Sequence, residues 1–324
     1  MAGLPKDVKS VVSLIGKYKR EGDDNMKRIL IYSLVILILG LIPYSGHAID
    51  YSYTSIDYPG ALGTWARGID GANIVGYYYD GSTYHGFLYN GSTYTTLNYP
   101  SASETRAFGI DGAYIVGYYH DGSTFHGFLY NGLTYTPLNY PGASNTLARG
   151  IDGANIVGNY TEDSTSHGFL YDGSTYTPLN YPDASHTLAW GIDGANIVGN
   201  YTKDSTSHGF LYNGSTYTPL NYPGASHTEA RGIDGANIVG YYEDGSTSHG
   251  FLYNGLTYTP LNYPGASGTL ASGIDGVNVV GNYFDGSGLH GFLATPIPEP
   301  TTMLLLGSGL LGLAGYGRKK FFKK

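Results

Sequence analysis

TWARGIDGANIVGYYYDGSTYHGFLYNGSTYTTLNYP, from Thr64 to Pro100, contains three dipeptides, Asp70-Gly71, Asp80-Gly81 and Asn90-Gly91, each set between runs of β-forming residues. Such pairs supply the positive φ that tight hairpins need. They divide the stretch into four short strands, Trp65 to Ile69, Ile74 to Tyr79, His85 to Tyr89 and Tyr94 to Tyr99. The stretch then recurs. The first glycine of GID stands at Gly68, Gly109, Gly150, Gly191, Gly232 and Gly273, a constant step of 41 residues. The histidine of HGF keeps the same step at His85, His126, His167, His208, His249 and His290. Nothing breaks the register between Tyr53 and Leu293. Four antiparallel strands repeated six times at this period are the units of a β-propeller.

The ends of the array say how it closes. YSYTSIDYPGA, from Tyr51 to Ala61, is a relative of the fourth-strand segment TYTPLNYPGA, yet no third strand precedes it. The last HGFL, His290 to Leu293, runs into ATPIPEP with no fourth strand after it. The expected fold is therefore all-β: a six-bladed β-propeller of six 41-residue four-stranded repeats, closed by an N-terminal strand that completes the last blade. Sharing a blade removes two free sheet edges. A β-solenoid is the alternative, and it would call for divergent capping repeats.

Composition agrees with short strands and tight turns. The 324 residues include 50 glycines and 34 tyrosines, and only 13% are charged. There is no cysteine, so neither disulfides nor thiolate metal sites hold the fold. From Ile49 to Pro298 there are 20 Asp and Glu against five Arg and Lys, a net of −15. Such a body repels nucleic acid.

Residues 1–48 read as a leader and signal peptide, 49–297 as the repeat domain and 298–324 as a sorting tail. MKRILIYSLVILILGLIPYSGHA, from Met26, sets Lys27 and Arg28 before an apolar run and ends at a small-residue cleavage site, Ala48. Residues 1–25 are polar, and Met26 is the expected start. At the other end Pro298-Glu299-Pro300 precedes an apolar segment, Met303 to Gly317, and a basic cluster with Arg318, Lys319 and Lys320. This order resembles the PEP-CTERM sorting signal. The resemblance implies a Gram-negative bacterium, transient anchoring in the inner membrane by the C-terminal transmembrane helix, an exosortase membrane protease as partner, and delivery to the cell surface or extracellular matrix. The repeat pattern GIDGANIVGYY…HGFLY also resembles the HAF family of probable extracellular repeats. That likeness implies an exported β-repeat domain and carries no chemistry.

Candidate chemistry lies where the copies differ. Six HGF histidines and six GID aspartates, one of each per repeat, are expected to be structural, each histidine bonding within its own blade, with the aspartate as a possible partner. Calcium loops, nucleophile elbows and phosphate loops are absent, so no metal or cofactor is implied. Variation gathers before and within the first strand. One position offers Arg67, Phe108, Arg149, Trp190 and Arg231; nearby stand Trp65, His186 and His227. In a meander these positions share one face with the hairpin between second and third strands. That face is the candidate ligand surface, since aromatic rings stack on sugars and arginine forks bind acidic oxygens. The expected function is a non-enzymatic surface or matrix protein binding extracellular polysaccharide. A glycan hydrolase or lyase, or a purely structural adhesive protein, are the alternatives. The hydrolase would need a carboxylate pair, and only Glu104 and Glu229 depart from the period on that face.

Overall fold

The computed structural model describes residues 50–297. These fall in the unit that begins at Ile49. The leader with Ala48, and the tail with Pro298, Glu299, Pro300, Arg318, Lys319 and Lys320, lie outside the described residues. Among the described residues no helix is long and apolar enough to cross a membrane.

The chain opens with β1 (Tyr51–Ile56) and then the first complete repeat, β2 (Gly63–Asp70), β3 (Asn73–Tyr79), β4 (Tyr84–Tyr89) and β5 (Tyr94–Leu97). The second repeat is β6 (Glu104–Asp111), β7 (Tyr114–His120), β8 (Phe125–Tyr130) and β9 (Tyr135–Leu138). The third is β10 (Asn145–Asp152), β11 (Asn155–Glu162), β12 (Thr165–Tyr171) and β13 (Tyr176–Leu179), and the fourth β14 (His186–Asp193), β15 (Asn196–Lys203), β16 (Thr206–Tyr212) and β17 (Tyr217–Leu220). Then follow β18 (His227–Asp234), β19 (Asn237–Asp244), β20 (Thr247–Tyr253) and β21 (Tyr258–Leu261), and last β22 (Gly268–Asp275), β23 (Asn278–Asp285) and β24 (Gly288–Pro296).

These strands form an all-β propeller, but not six separate blades. Repeats two to five make four four-stranded antiparallel sheets, whereas β22, β23, β24, β2, β3, β4 and β5 form one continuous mixed sheet that also takes β1. The sequence-based expectation of six independent blades is corrected to four blades and this eight-stranded sheet. Its cause is local. Gly63 pairs in parallel with Leu289, so the backbone of β2 reaches that of β24 directly. In the third and fourth repeats a side chain at this position spans the gap instead: Asn145 Oδ1 accepts from Phe125 N at 2.9 Å, and His186 Nδ1 from Ser166 N at 3.1 Å, while Gly268, the other glycine at this position, makes no such pairing. The strand β1 pairs antiparallel with β24 from Tyr51↔Pro296 to Ile56↔Gly291. It thus belongs to the mixed sheet instead of completing a separate sixth blade.

First strands contact one another in the cycle β2, β6, β10, β14, β18, β22 and back to β2, so the array is a closed ring and not a linear solenoid. Their closest approach is at the GID glycines. A Cβ on Gly150 would stand 2.7 Å from Trp190 O and 3.2 Å from Gly191 Cα; at Gly68, Gly109, Gly191 and Gly273 the next strand's carbonyl oxygen would be at 2.6 to 2.7 Å, and at Gly232 at 3.0 Å. Only glycine lets the strands meet this closely around the axis.

The core lies between neighbouring sheets. Phe169, fully buried, packs with Val116 and Leu138 of the preceding sheet and with Ala148, Ile151, Ile156 and Tyr160 of its own. Each buried phenylalanine of HGF contributes roughly 1.5–3 kcal/mol by leaving water. Tyrosines tie the sheets together: Tyr140 stacks on Tyr160 at 3.6 Å, and Tyr160 on His167 at 5.2 Å.

The expected partnership of HGF histidine with GID aspartate does not form, because the two stand at opposite ends of the meander. The histidine hydrogen-bonds the asparagine of LNYP, His85 with Asn98 and His167 with Asn180, both at 3.0 Å, and His290 takes Asp57 instead. The aspartate reaches the next repeat. Gly112 N donates to Asp70 Oδ2, Gly153 N to Asp111 Oδ2 and Gly194 N to Asp152 Oδ2, at 2.6 to 2.7 Å. The series closes with Gly71 N on Asp275 Oδ2.

Candidate functional site

Each first strand carries a bulge. In β10 the pairing passes from Ala148↔Gly158 to Gly150↔Val157, leaving Arg149 without a partner, and every other first strand shifts register at the equivalent residue. The extra residue turns its side chain out of the ladder. Arg67, Phe108, Arg149, Trp190, Arg231 and Ser272 are thereby brought together around the axis as the floor of a cup of about 110 Å³, walled by the glycine and isoleucine that follow each. Because those wall residues lead to the turns between first and second strands, the cup opens at that end. It lies at the opposite end from the variable hairpins with which the sequence grouped its floor.

Charge and aromatic faces alternate and touch. Arg149 Cζ lies 3.7 Å over the Trp190 ring and 5.2 Å from that of Phe108. Arg231 Cζ is 5.0 Å from Trp190, and Arg67 Cζ 5.5 Å from Phe108. Their donors are unevenly used. Arg67 donates to Tyr77 Oη at 2.8 Å and Ser272 Oγ at 3.4 Å, and its Nε is buried without an acceptor. Arg149 donates through Nε to Asn159 Oδ1 at 2.8 Å. Arg231 gives Nε and Nη2 to Glu229 Oε2 at 3.1 and 3.0 Å, while its Nη1 is buried without an acceptor. Among the described residues only Arg231 of the three guanidiniums is paired with a carboxylate. Burial, foremost, pulls the Arg149 pKa down to about 10, with Arg231 and Arg67 repelling it further. Glu229 is held down at about 2: burial opposes this, but Arg231 and His227 outweigh it.

Trp65, His186 and His227 stand elsewhere, on the far side of the floor. Trp65 stacks on Tyr77 at 5.0 Å and His227 Nε2 lies 3.3 Å from Glu229 Oε1, while His186 bridges to Ser166. A layer the sequence reading missed supports the floor from the second strands: Tyr77, Tyr118, Asn159, Asn200, Tyr241 and Asn282, all buried. Trp190 Nε1 donates to Asn200 Oδ1 at 2.7 Å, as Arg149 does to Asn159. The signal was present as a change from VGY to VGN in the third, fourth and sixth repeats. Tyr77, Phe108 and Tyr118 cluster with Trp65 and Trp190, so aromatic side chains plug the axis beneath the cup. Of the two departing carboxylates, Glu104 pairs with Arg106 at 3.3 Å and Glu229 with Arg231 at 3.0 Å. Among the described residues no group of three or more His, Asp or Glu converges as metal ligands.

The fold and the tail define the class: a β-propeller that bears an export-sorting signal. Residues 296–319 match the PEP-CTERM protein-sorting motif. That motif implies export and membrane-associated sorting by an exosortase. Among curated proteins nothing matches the sequence. Among solved structures the chain is similar to the β-propeller domain of the Trilobed protease from Pyrococcus furiosus, with 10% identity over 73% of this chain and 98% of that one, at a TM-score of 0.45. It is similar to the tricorn protease, with 14% identity over 72% of this chain and 26% of that one, at 0.49. Virginiamycin B lyase from Staphylococcus aureus shares 10% identity over 76% of this chain and all of that one, at 0.44.

Proposed function

We propose that this is a non-enzymatic protein of a Gram-negative cell surface or extracellular matrix that binds extracellular polysaccharide at its axis. The observation that carries the reading is the cup floor, where, among the described residues, Arg149 and Arg67 meet no carboxylate and lie against Trp190 and Phe108. Arginine forks bind acidic oxygens, and indole and phenyl faces bind the C–H faces of sugars. Three of the four arginines of the described residues line the cup in a body that is otherwise acidic. The tail delivers such a protein to the compartment where polysaccharide is secreted, and the HAF-like repeats are in keeping with that place. The test is retention of the purified full chain on exopolysaccharide from its own host, with release by salt. Passage without retention overturns the reading, and release of new reducing ends from the polymer replaces it with a glycan-cleaving one.

A further inference from the structure

The cup also constrains how a glycan can be held. We propose, resting on the polysaccharide reading, that it is an end-on site for a sugar acid: the carboxylate of a terminal uronate-like residue sits on Arg149 and its neighbours, and the sugar hydroxyls face the aspartates at the rim. Size comes first. About 110 Å³ is well below the ~300–1,000 Å³ of pockets that engulf a ligand. The cup admits a carboxylate and the atoms near it. A polymer cannot thread further, because Tyr77, Phe108 and Tyr118 fill the axis below.

Charge then selects the entering group. Arg231 is nine-tenths buried, its side chain 10% exposed, and one of its amino groups has no acceptor. Arg149, among the described residues, hydrogen-bonds only through Nε, so both of its terminal amino groups are open to a planar, two-oxygen acceptor. A carboxylate matches that fork. Ser272, the one small residue of the floor, leaves the space beside Arg67.

The rim sets a second condition. Above the floor stand six carboxylates, Asp70 and its equivalents, each using Oδ2 to accept the next repeat's glycine amide. Their Oδ1 atoms meet no protein donor among the described residues. A dense polyanion is repelled by this ring, whereas one carboxylate on a hydroxyl-rich body satisfies both layers, anion below and donors above. Isoleucine side chains between them offer an apolar wall to the C–H face of a sugar.

The experiment titrates the full chain with free glucuronate, glucose, acetate and sulfate, following melting temperature and heat. Glucuronate is expected to bind near a Kd of about 1 mM and at least about tenfold more tightly than glucose, acetate or sulfate. Arg149→Met is expected to abolish the response without lowering its own melting temperature, and Arg149→Lys, which keeps the charge but loses the fork, to weaken binding about tenfold. Acetate or sulfate binding as well as glucuronate reduces the cup to a generic anion site and overturns the proposal, as does an unchanged response in both variants. With oligouronates, stoichiometry should follow chain ends and not residues; the reverse sinks end-on binding. If Arg149→Met still binds the host polysaccharide, this inference falls and the broader reading stands. If the wild type binds glucuronate but not the polymer, the broader reading falls and the cup site stands.

Discussion

Glu229 is the one carboxylate among three axial guanidiniums, and its environment gives it a measurable pH signature. Its pKa is depressed from 4.5 to about 2, burial being outweighed by Arg231 and His227. A depressed acid contributes stability that is fully present above its unfolded pKa and is lost as the pH falls through the folded one. The loss from this group therefore runs from about pH 4.5 down to about 2. Glu229→Gln leaves Arg231 buried without a counter-charge and should cost about 3 kcal/mol at pH 7. Urea unfolding across the acid range should show the variant and wild type converging towards pH 2.5. Parallel curves would mean that the ion pair contributes nothing. The floor residues themselves were legible, since Arg67, Phe108, Arg149, Trp190 and Arg231 break the period. The end at which the cup opens was not, because a bulge leaves no mark in an alternating pattern and only pairing shows it. Tyr77 and Asn159 were passed over because tyrosine and asparagine in a strand look like ordinary filler until the neighbouring arginine is placed.

Among the elements, the turns do more than reverse the chain. In the first repeat Asp-Gly and Asn-Gly dipeptides located them correctly, and Gly71 takes the left-handed φ of 57° that the first turn requires; in the third and fourth repeats Asp163-Ser164 and Asp204-Ser205 take the positive φ at the second turn. Strand limits were less legible. The first strand begins at Gly63, two residues before its predicted start, and the fourth ends at Leu97, two residues early, because Asn98 is held by His85. The destination of the GID aspartate was hidden for a simpler reason: its partner is a backbone amide of another repeat, which no spacing reveals. That bond predicts a pair of variants. Asp152→Ala leaves the Gly194 amide without its acceptor and should destabilise the protein by about 1 kcal/mol. Asp152→Asn keeps an acceptor oxygen and should stay within about 0.5 kcal/mol of wild type. Equal losses from both, measured by denaturant unfolding, would show that charge rather than the acceptor matters.

For the whole molecule the question is how a ring with two free ends stays shut. The unmatched segments at the two ends of the array showed which pieces must meet, but not that Gly63 would fuse the first repeat to the last in one sheet. At this seam β1 pairs with β24 over six residues, Tyr51 to Ile56, where the equivalent pair β12 and β13 uses four, Gly168↔Leu179 to Tyr171↔Tyr176. The two extra pairs, Tyr51↔Pro296 and Ser52↔Thr295, stand where other repeats have a covalent turn. Tyr53 packs against Tyr263 at 5.4 Å and Phe292 at 5.7 Å, and Tyr58 stacks on Tyr78 at 3.7 Å, so the segment clamps both neighbours. Deleting residues 50–58 uncovers the edge of β24 and the buried Phe292 together. The expected result is a fall in melting temperature of more than about 10 °C, with aggregation through the exposed edge. A circular permutant separates position from chain order. Starting at Gly63 and rejoining residues 53–62 after Ala294 through Asn-Gly-Ser-Thr recreates the turn used by the other repeats, where Tyr171 and Tyr176 flank four residues as Ala294 and Tyr53 would, and should melt within a few degrees of wild type. If the deletion is tolerated, the seam is not what holds the ring. If instead the permutant fails to fold while the parent does, closure depends on the native order of the chain and not on the strand lying beside β24.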